Sequence, residues 1–267
     1  MKRTPVVFIH GAWLHALSWE SWTEHFTSRG FRALAPGWPG EGASPGAAES
    51  SDVLGGLGLD ALSAHYAAVV RSLDTAPVIV GHSVGGLVAQ HLIAADLGRA
   101  AVAIAPVPIN DIPMPTSFDR PPSAEHDVPA EPLVSLSPRQ FHELIANTVT
   151  AGESRRLYER YAMPVPARLL RDLGCGTGRR APNARADVTN AARGPLLLVS
   201  GQEDLLVPDA ATRAAYKQYG DTAAVTDLKQ FADRAHSLVI DSGWRLVADH
   251  VLAWLYERGV RAEGPQG

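Results

Sequence analysis

Val78-Ile79-Val80-Gly81-His82-Ser83-Val84-Gly85-Gly86 decides the fold of this chain. Three apolar residues give way to a glycine-flanked serine, and the segment from Gly85 to Leu97 reads as a helix. A serine between a buried strand and a helix sits on a very tight turn. The residues two positions to either side must be glycine, because a Cβ there strikes the adjacent backbone. Such a turn holds the Ser83 hydroxyl clear of the sheet and aims the Val84 N–H at the same spot. It supplies a nucleophile and one donor for a developing negative charge on oxygen.

Working outward from the turn, short apolar runs alternate with helical patterns. The runs cover residues 6–9, 31–35, 78–80, 101–105, 196–199 and 225–231. Helices are expected over residues 18–28, 59–73, 85–97, 209–219 and 239–258. Several runs are too continuously apolar to have a wet face, as parallel strands covered on both sides require. The alternation predicts an α/β protein with a doubly wound, mostly parallel sheet. Right-handed crossovers then bring the strand C-termini to one edge, where ligands bind.

Residues 106–190 break this rhythm. Their first third carries nine prolines, from Pro106 to Pro138, a density that prevents helix and strand interior alike. Ser137-Pro138 reads as an N-cap followed by proline at N1. Helices are expected over 138–149, 152–162 and 165–173, with a return loop over 174–190. The expected organisation is a core of residues 1–105 and 191–261, an inserted lid at 106–190 overhanging Ser83, and a frayed tail at 262–267.

A chain of 267 residues, 46% of them hydrophobic, fits one such domain. A net charge of −4 indicates no basic face for nucleic acid. The single cysteine, Cys175, cannot form an intramolecular disulfide. No apolar run approaches the ~18 residues of a membrane span and no signal-peptide pattern opens the chain, so a cytoplasmic location is expected. The expected partner is a small molecule, with neither nucleic acid nor membrane, and a homodimer is left open. No cofactor and no metal are expected: no histidine or carboxylate spacing suggests a metal site.

A serine hydroxyl needs a base within hydrogen-bond reach, and the base needs an orienting acid. Asp204 follows the run 196–199 in a loop and precedes a helix expected to be capped by Asp209. It is the expected acid, with neighbouring Glu203 as the alternative. His236 follows the last strand and is the expected base. The loop after the first strand is His10-Gly11-Ala12-Trp13. There the Ala12 N–H is the expected second oxyanion donor beside Val84, and Gly11 lets backbone approach the substrate. His10 is expected to shape this loop. Trp13, Gly11 and His82 are the expected substrate-side neighbours of the serine, with His82 packed beneath the turn. Leu14, Leu17, Trp19 and Trp38, with Phe118, Phe141, Ile145, Tyr158 and Met163 from the lid, are candidate pocket residues. The pairs Arg155-Arg156 and Arg179-Arg180 read as solvated.

Taken together, His10-Gly11, Gly40-Glu41-Gly42-Ala43-Ser44, the 81–85 turn, Asp204 before Val207-Pro208, and His236 resemble the α/β-hydrolase superfamily. The resemblance implies a Ser-His-Asp triad, in the chain order serine, acid, histidine, on that fold. The opening His10-Gly11-Ala12-Trp13 is similar to small esterases of the methylesterase and hydroxynitrile lyase subgroup. The lyases usually carry threonine where Gly11 stands and lysine where Ser237 stands, so the resemblance favours hydrolysis of a carboxylic ester or lactone. Lyase, carbon–carbon hydrolase or perhydrolase chemistry on the same triad is the alternative, and a non-catalytic receptor is a third reading.

Overall fold

The computed structural model describes residues 3–46, 49–113, 133–175, 179–220 and 222–263. Six parallel strands form the central sheet: β1 (Pro5–Ile9), β2 (Arg32–Leu34), β3 (Val78–His82), β4 (Ala100–Ile104), β7 (Leu196–Gly201) and β8 (Thr226–Phe231), in the order β2-β1-β3-β4-β7-β8. Every residue of β1, β3, β4 and β7 is buried, which is why their sequences show no alternation. Edge strand β8, Thr-Asp-Leu-Lys-Gln-Phe, is half-buried and mixes polar with apolar residues accordingly.

From β1 the chain steps outward to β2, then crosses back to β3 on the other side of β1 and continues to β4. The direction of winding therefore reverses between β1 and β3, where Ile9 pairs with Gly81. A crevice opens beyond the strand ends at such a reversal. Here it receives the His10 loop and the Ser83 turn.

The helices flanking the sheet are α1 (Glu20–Ser28), α2 (Ser51–Gly55), α3 (Leu59–Arg71), α4 (Val84–Ala94), α8 (Asp209–Gln218) and α9 (Trp244–Glu257). Helix α9 starts five residues later than the apolar pattern predicts. Leu238, Val239 and Ile240 are buried, but Asp241 accepts the Gly243 N–H and shapes a turn that delays the helix. The first predicted helix is preceded by a 3-10 turn, Ala16–Trp19. Asp209 does not cap α8. Pro208 occupies that position, and Asp209 instead accepts Ser200 Oγ, Gln230 Nε2 and Arg213 Nε.

Between β4 and β7 lie α5 (Pro138–Leu144), α6 (Ala151–Tyr161) and α7 (Ala167–Asp172). The predicted cap at Ser137 is present as a capping box with Gln140. The third predicted helix begins at Ala167, because Val165–Pro166 (β6) pairs antiparallel with Leu133–Val134 (β5) in a separate two-stranded sheet. This insertion is tied to the core at several points. Leu14 bridges Ala162, and the Met163 N–H reaches the Trp13 carbonyl at 3.3 Å. Asn147 donates to the Glu203 carbonyl, and Glu153 accepts the Ser242 N–H. The tethers fall on the loops that carry Trp13, Asp204 and His236.

Candidate active site

Ser83 adopts φ 55° and ψ −119°, a conformation that L-residues hold only when their surroundings enforce it. The enforcement is visible in the backbone. The Ser83 N–H donates to the Ile104 carbonyl, and the Ser83 carbonyl accepts from Gly86, Leu87 and Val107. Glycine is required on both sides. A Cβ on Gly81 would lie 2.0 Å from the Gly85 oxygen, and one on Gly85 would lie 2.2 Å from the Ile9 oxygen. Helix α4 starts at Val84, so its first N–H groups are free of intrahelical partners and its positive dipole end faces Ser83.

Asp204 and His236 are brought together by their loops. The Gln202 N–H donates to the Phe231 carbonyl and the Glu203 N–H to the Arg234 carbonyl, which zips the end of β7 onto the end of β8. His236 Nδ1 donates to Asp204 Oδ2 at 2.7 Å, with both side chains fully buried. The other carboxylate oxygen, Oδ1, accepts the N–H groups of Leu206 at 2.9 Å and Val207 at 2.8 Å. With Nδ1 donating to the carboxylate, Nε2 is the ring nitrogen left to accept a proton. Glu203 is exposed, whereas the Asp204–His236 pair is fully buried.

Ser83 Oγ and His236 Nε2 are sealed from solvent, and neither has a hydrogen-bond partner. The serine–histidine bond expected from the sequence is therefore not made in this state. Further contacts place the two residues in one cluster. The His82 ring lies 4.5 Å from the His236 ring, and a Cβ on Gly11 would lie 2.7 Å from Ser83 Cβ and 2.9 Å from His82 Nδ1.

His82 supports the cluster from within. Its Nε2 donates to the His236 carbonyl at 2.9 Å. Burial first, then the neighbouring His236 and His10 rings, push its pKa well below 6.5, against the opposing effect of that carbonyl. It stays neutral, carries its proton on Nε2, and holds the His236 backbone.

The His10 loop is anchored by a residue that sequence reasoning passed over. Glu41 accepts His10 Nε2 and the Trp38 N–H, both at 2.8 Å, on one oxygen. Its other oxygen accepts the Ala16 N–H at 2.8 Å and lies 3.1 Å from His15 Nε2. Burial alone would raise the Glu41 pKa, but the His10 ring and these N–H donors outweigh it and hold it at about 2. The signal was the lone carboxylate in Gly40-Glu41-Gly42, flanked by residues too small to shield it.

The remaining pocket candidates divide. Trp19 lies in the core against Phe8, Trp22 and α1, and Leu14 is fully buried. Trp38 stacks on His10 at 4.6 Å. Phe141 packs edge-on against Tyr158, and Ile145 is buried beneath α5. Met163 lines a cavity of about 90 Å³ with Leu54, Leu133 and His15. Trp13 is 3% exposed at φ 59°. Arg155 pairs with Glu159 on the surface, and Arg180 donates to the Pro108 carbonyl. Phe118 lies outside the described residues. Among the described residues, no group of three or more histidines, cysteines and carboxylates is arranged to hold a metal, and no helix is long and apolar enough to cross a membrane.

A sheet of this order with a strained serine after β3 and a buried carboxylate–histidine pair after β7 and β8 defines a class, and the comparisons give it its family. The model described as the alpha/beta hydrolase family matches residues 6–250, and the chain belongs to that family. A non-heme chloroperoxidase from Streptomyces lividans is 35% identical over 102 residues, a match spanning 38% of this chain and 35% of that relative. A methylesterase from Arabidopsis shares the fold with a TM-score of 0.66 at 18% identity, covering 95% of this chain and 99% of its own. A monoacylglycerol lipase from Paleococcus ferrophilus does so with a TM-score of 0.68 at 20% identity, covering 95% and 94%.

Proposed function

We propose that this protein is a serine hydrolase that cleaves a carboxylic ester, lactones included, through an acyl-enzyme. The observation that carries the reading is the 2.7 Å His236–Asp204 pair, buried within the same cluster as a serine held at positive φ. In this mechanism His236 Nε2 takes the Ser83 proton as Oγ attacks the ester carbonyl carbon. Asp204 keeps the imidazole oriented and stabilises its charged form. The N–H groups of Ala12 and Val84 receive the tetrahedral oxyanion, and each such donor is worth about 2.7–4 kcal/mol of barrier. His236 then protonates the leaving alcohol, the acyl group remains on Ser83, and water repeats the sequence.

The kinship to methylesterase and lipase folds is consistent with this reading. Ser83→Ala is expected to abolish turnover of p-nitrophenyl acetate and butyrate. Full activity in that variant would defeat the assignment.

The stretch of identity with a chloroperoxidase favours a second reading. Hydrogen peroxide in place of water would release a peracid from the same acyl-enzyme. Peracid formation from an ester and peroxide, measured against plain hydrolysis, separates the two.

A further inference from the structure

The Ala12 N–H and the ring of His10 are linked through one peptide plane. His10 Nδ1 lies 3.0 Å from the Gly11 carbonyl oxygen, and His10 Nε2 lies 2.8 Å from Glu41 Oε2. Both oxygens only accept, so the fully buried ring satisfies both at once only as the imidazolium, donating from each nitrogen. His15 differs. Its Nδ1 accepts the Leu17 N–H, which leaves Nε2 as its donor toward the Gly42 carbonyl and Glu41. Glu41 is thus the counter-charge of a single imidazolium.

The Gly11–Ala12 peptide is planar and trans, so its carbonyl and its N–H point in opposite directions. A Gly11 carbonyl held against His10 fixes the Ala12 N–H on the far side of that plane. Gly11 itself abuts Ser83, and among the described residues no hydrogen bond takes up the Ala12 N–H. Trp38 stacked on the His10 ring and Gly37 packed against the Glu41 carboxyl leave the pair little room to reorient.

We infer that Glu41 is a positioning residue for catalysis: through the His10 imidazolium it sets the direction of the Ala12 N–H toward the oxyanion. The inference rests on the serine-esterase reading of Ser83. It makes Glu41 important to the transition state and nearly irrelevant to ground-state ester binding, since Glu41 acts only on the donor that the developing charge uses.

The test compares wild type, Ser83→Ala, Glu41→Gln and the double variant His10→Gln/Glu41→Gln with p-nitrophenyl acetate, after circular dichroism and cooperative melting establish that each is folded. The Glu41→Gln change strips the counter-charge from a buried cation. The double variant leaves no unpaired charge and keeps the test decisive where the single variant does not accumulate as folded protein.

The expected result is a kcat lower by about 10- to 100-fold in either variant, with KM within about twofold of wild type. Inhibition by a trifluoromethyl ketone, whose hemiketal oxyanion needs the same donor, should weaken by a similar factor. A folded Glu41→Gln variant, or the folded double variant where the single one does not accumulate, with kcat and trifluoromethyl ketone affinity within about twofold of wild type would overturn the inference while leaving the Ser83 assignment intact. A wild-type protein with no ester turnover, or one whose Ser83→Ala variant keeps full turnover, would overturn both.

Discussion

Asp204→Asn isolates the contribution of one charge, because the asparagine nearly matches aspartate in shape. Asp204 accepts three hydrogen bonds: Leu206 N–H and Val207 N–H on Oδ1, and His236 Nδ1 on Oδ2. Asparagine offers one accepting oxygen and one donating amide. If the oxygen faces His236, two buried backbone N–H groups meet an amide donor and go unpaired, at a cost of about 1–3 kcal/mol each. If the oxygen stays with Leu206 and Val207, only the His236 contact changes. The second orientation wins, and the amide then faces Nδ1. The ring must present a bare Nδ1 there, which moves its proton to Nε2, the nitrogen that takes the proton from Ser83 in the proposed mechanism. Wrong-tautomer variants of this kind in serine proteases lose about 10⁴ in kcat, or about 5.5 kcal/mol. The expected outcome is therefore a kcat for p-nitrophenyl acetate lower by about 10⁴, with a urea midpoint shifted by no more than about 1.5 kcal/mol of stability. An Asp204→Asn variant that keeps more than a tenth of wild-type kcat would refute the tautomer argument.

Other expectations follow from the same geometry. Gly11→Ala places a Cβ 2.7 Å from Ser83 Cβ, about 1 Å inside ordinary contact. It should destabilise the fold by about 1–3 kcal/mol and lower kcat by about 10², readable from urea titration and ester turnover on one preparation. Stability should fall on acidification. Glu41 stays ionised in the native state down to about 2 instead of 4.5, so its contribution is complete above pH 4.5 and is lost as pH falls toward 2, to a total of about 3 kcal/mol. His91, whose pKa burial lowers to about 4 against a weaker opposing pull from Asp60, stays neutral while the unfolded chain takes up protons below 6.5. It removes stability as pH falls from 6.5 to 4. Denaturant midpoints that are flat between about pH 7 and about pH 3.5 would contradict both.

The sequence made the sheet legible because β1, β3, β4 and β7 are buried on both faces and must be written in apolar residues. It made Ser83 legible because only glycine fits at 81 and 85, a constraint confined to five residues. Asp204 and His236 were readable from their position after strands, since a parallel sheet sends every such loop to one edge. Glu41 was readable only as a lone carboxylate between glycines, because its partners His10 and Ala16 lie 31 and 25 residues upstream and the local sequence does not name them. Helix α9 was misplaced because buried Leu238-Val239-Ile240 satisfies a helical pattern while folding as a turn. Trp19 lies near the His10 loop in sequence, which suggests a pocket, but at the end of the 3-10 turn its ring is buried in the core against Phe8.

The account stands on Ser83 carrying the acyl group. Rapid quenching of the enzyme with p-nitrophenyl acetate, followed by intact-mass and peptide mass spectrometry, looks for that species directly. The predicted result is one acetyl group per chain, located on Ser83 and absent from Ser83→Ala. Steady turnover with no acetylated chain, or with the acetyl group on another residue, would contradict it.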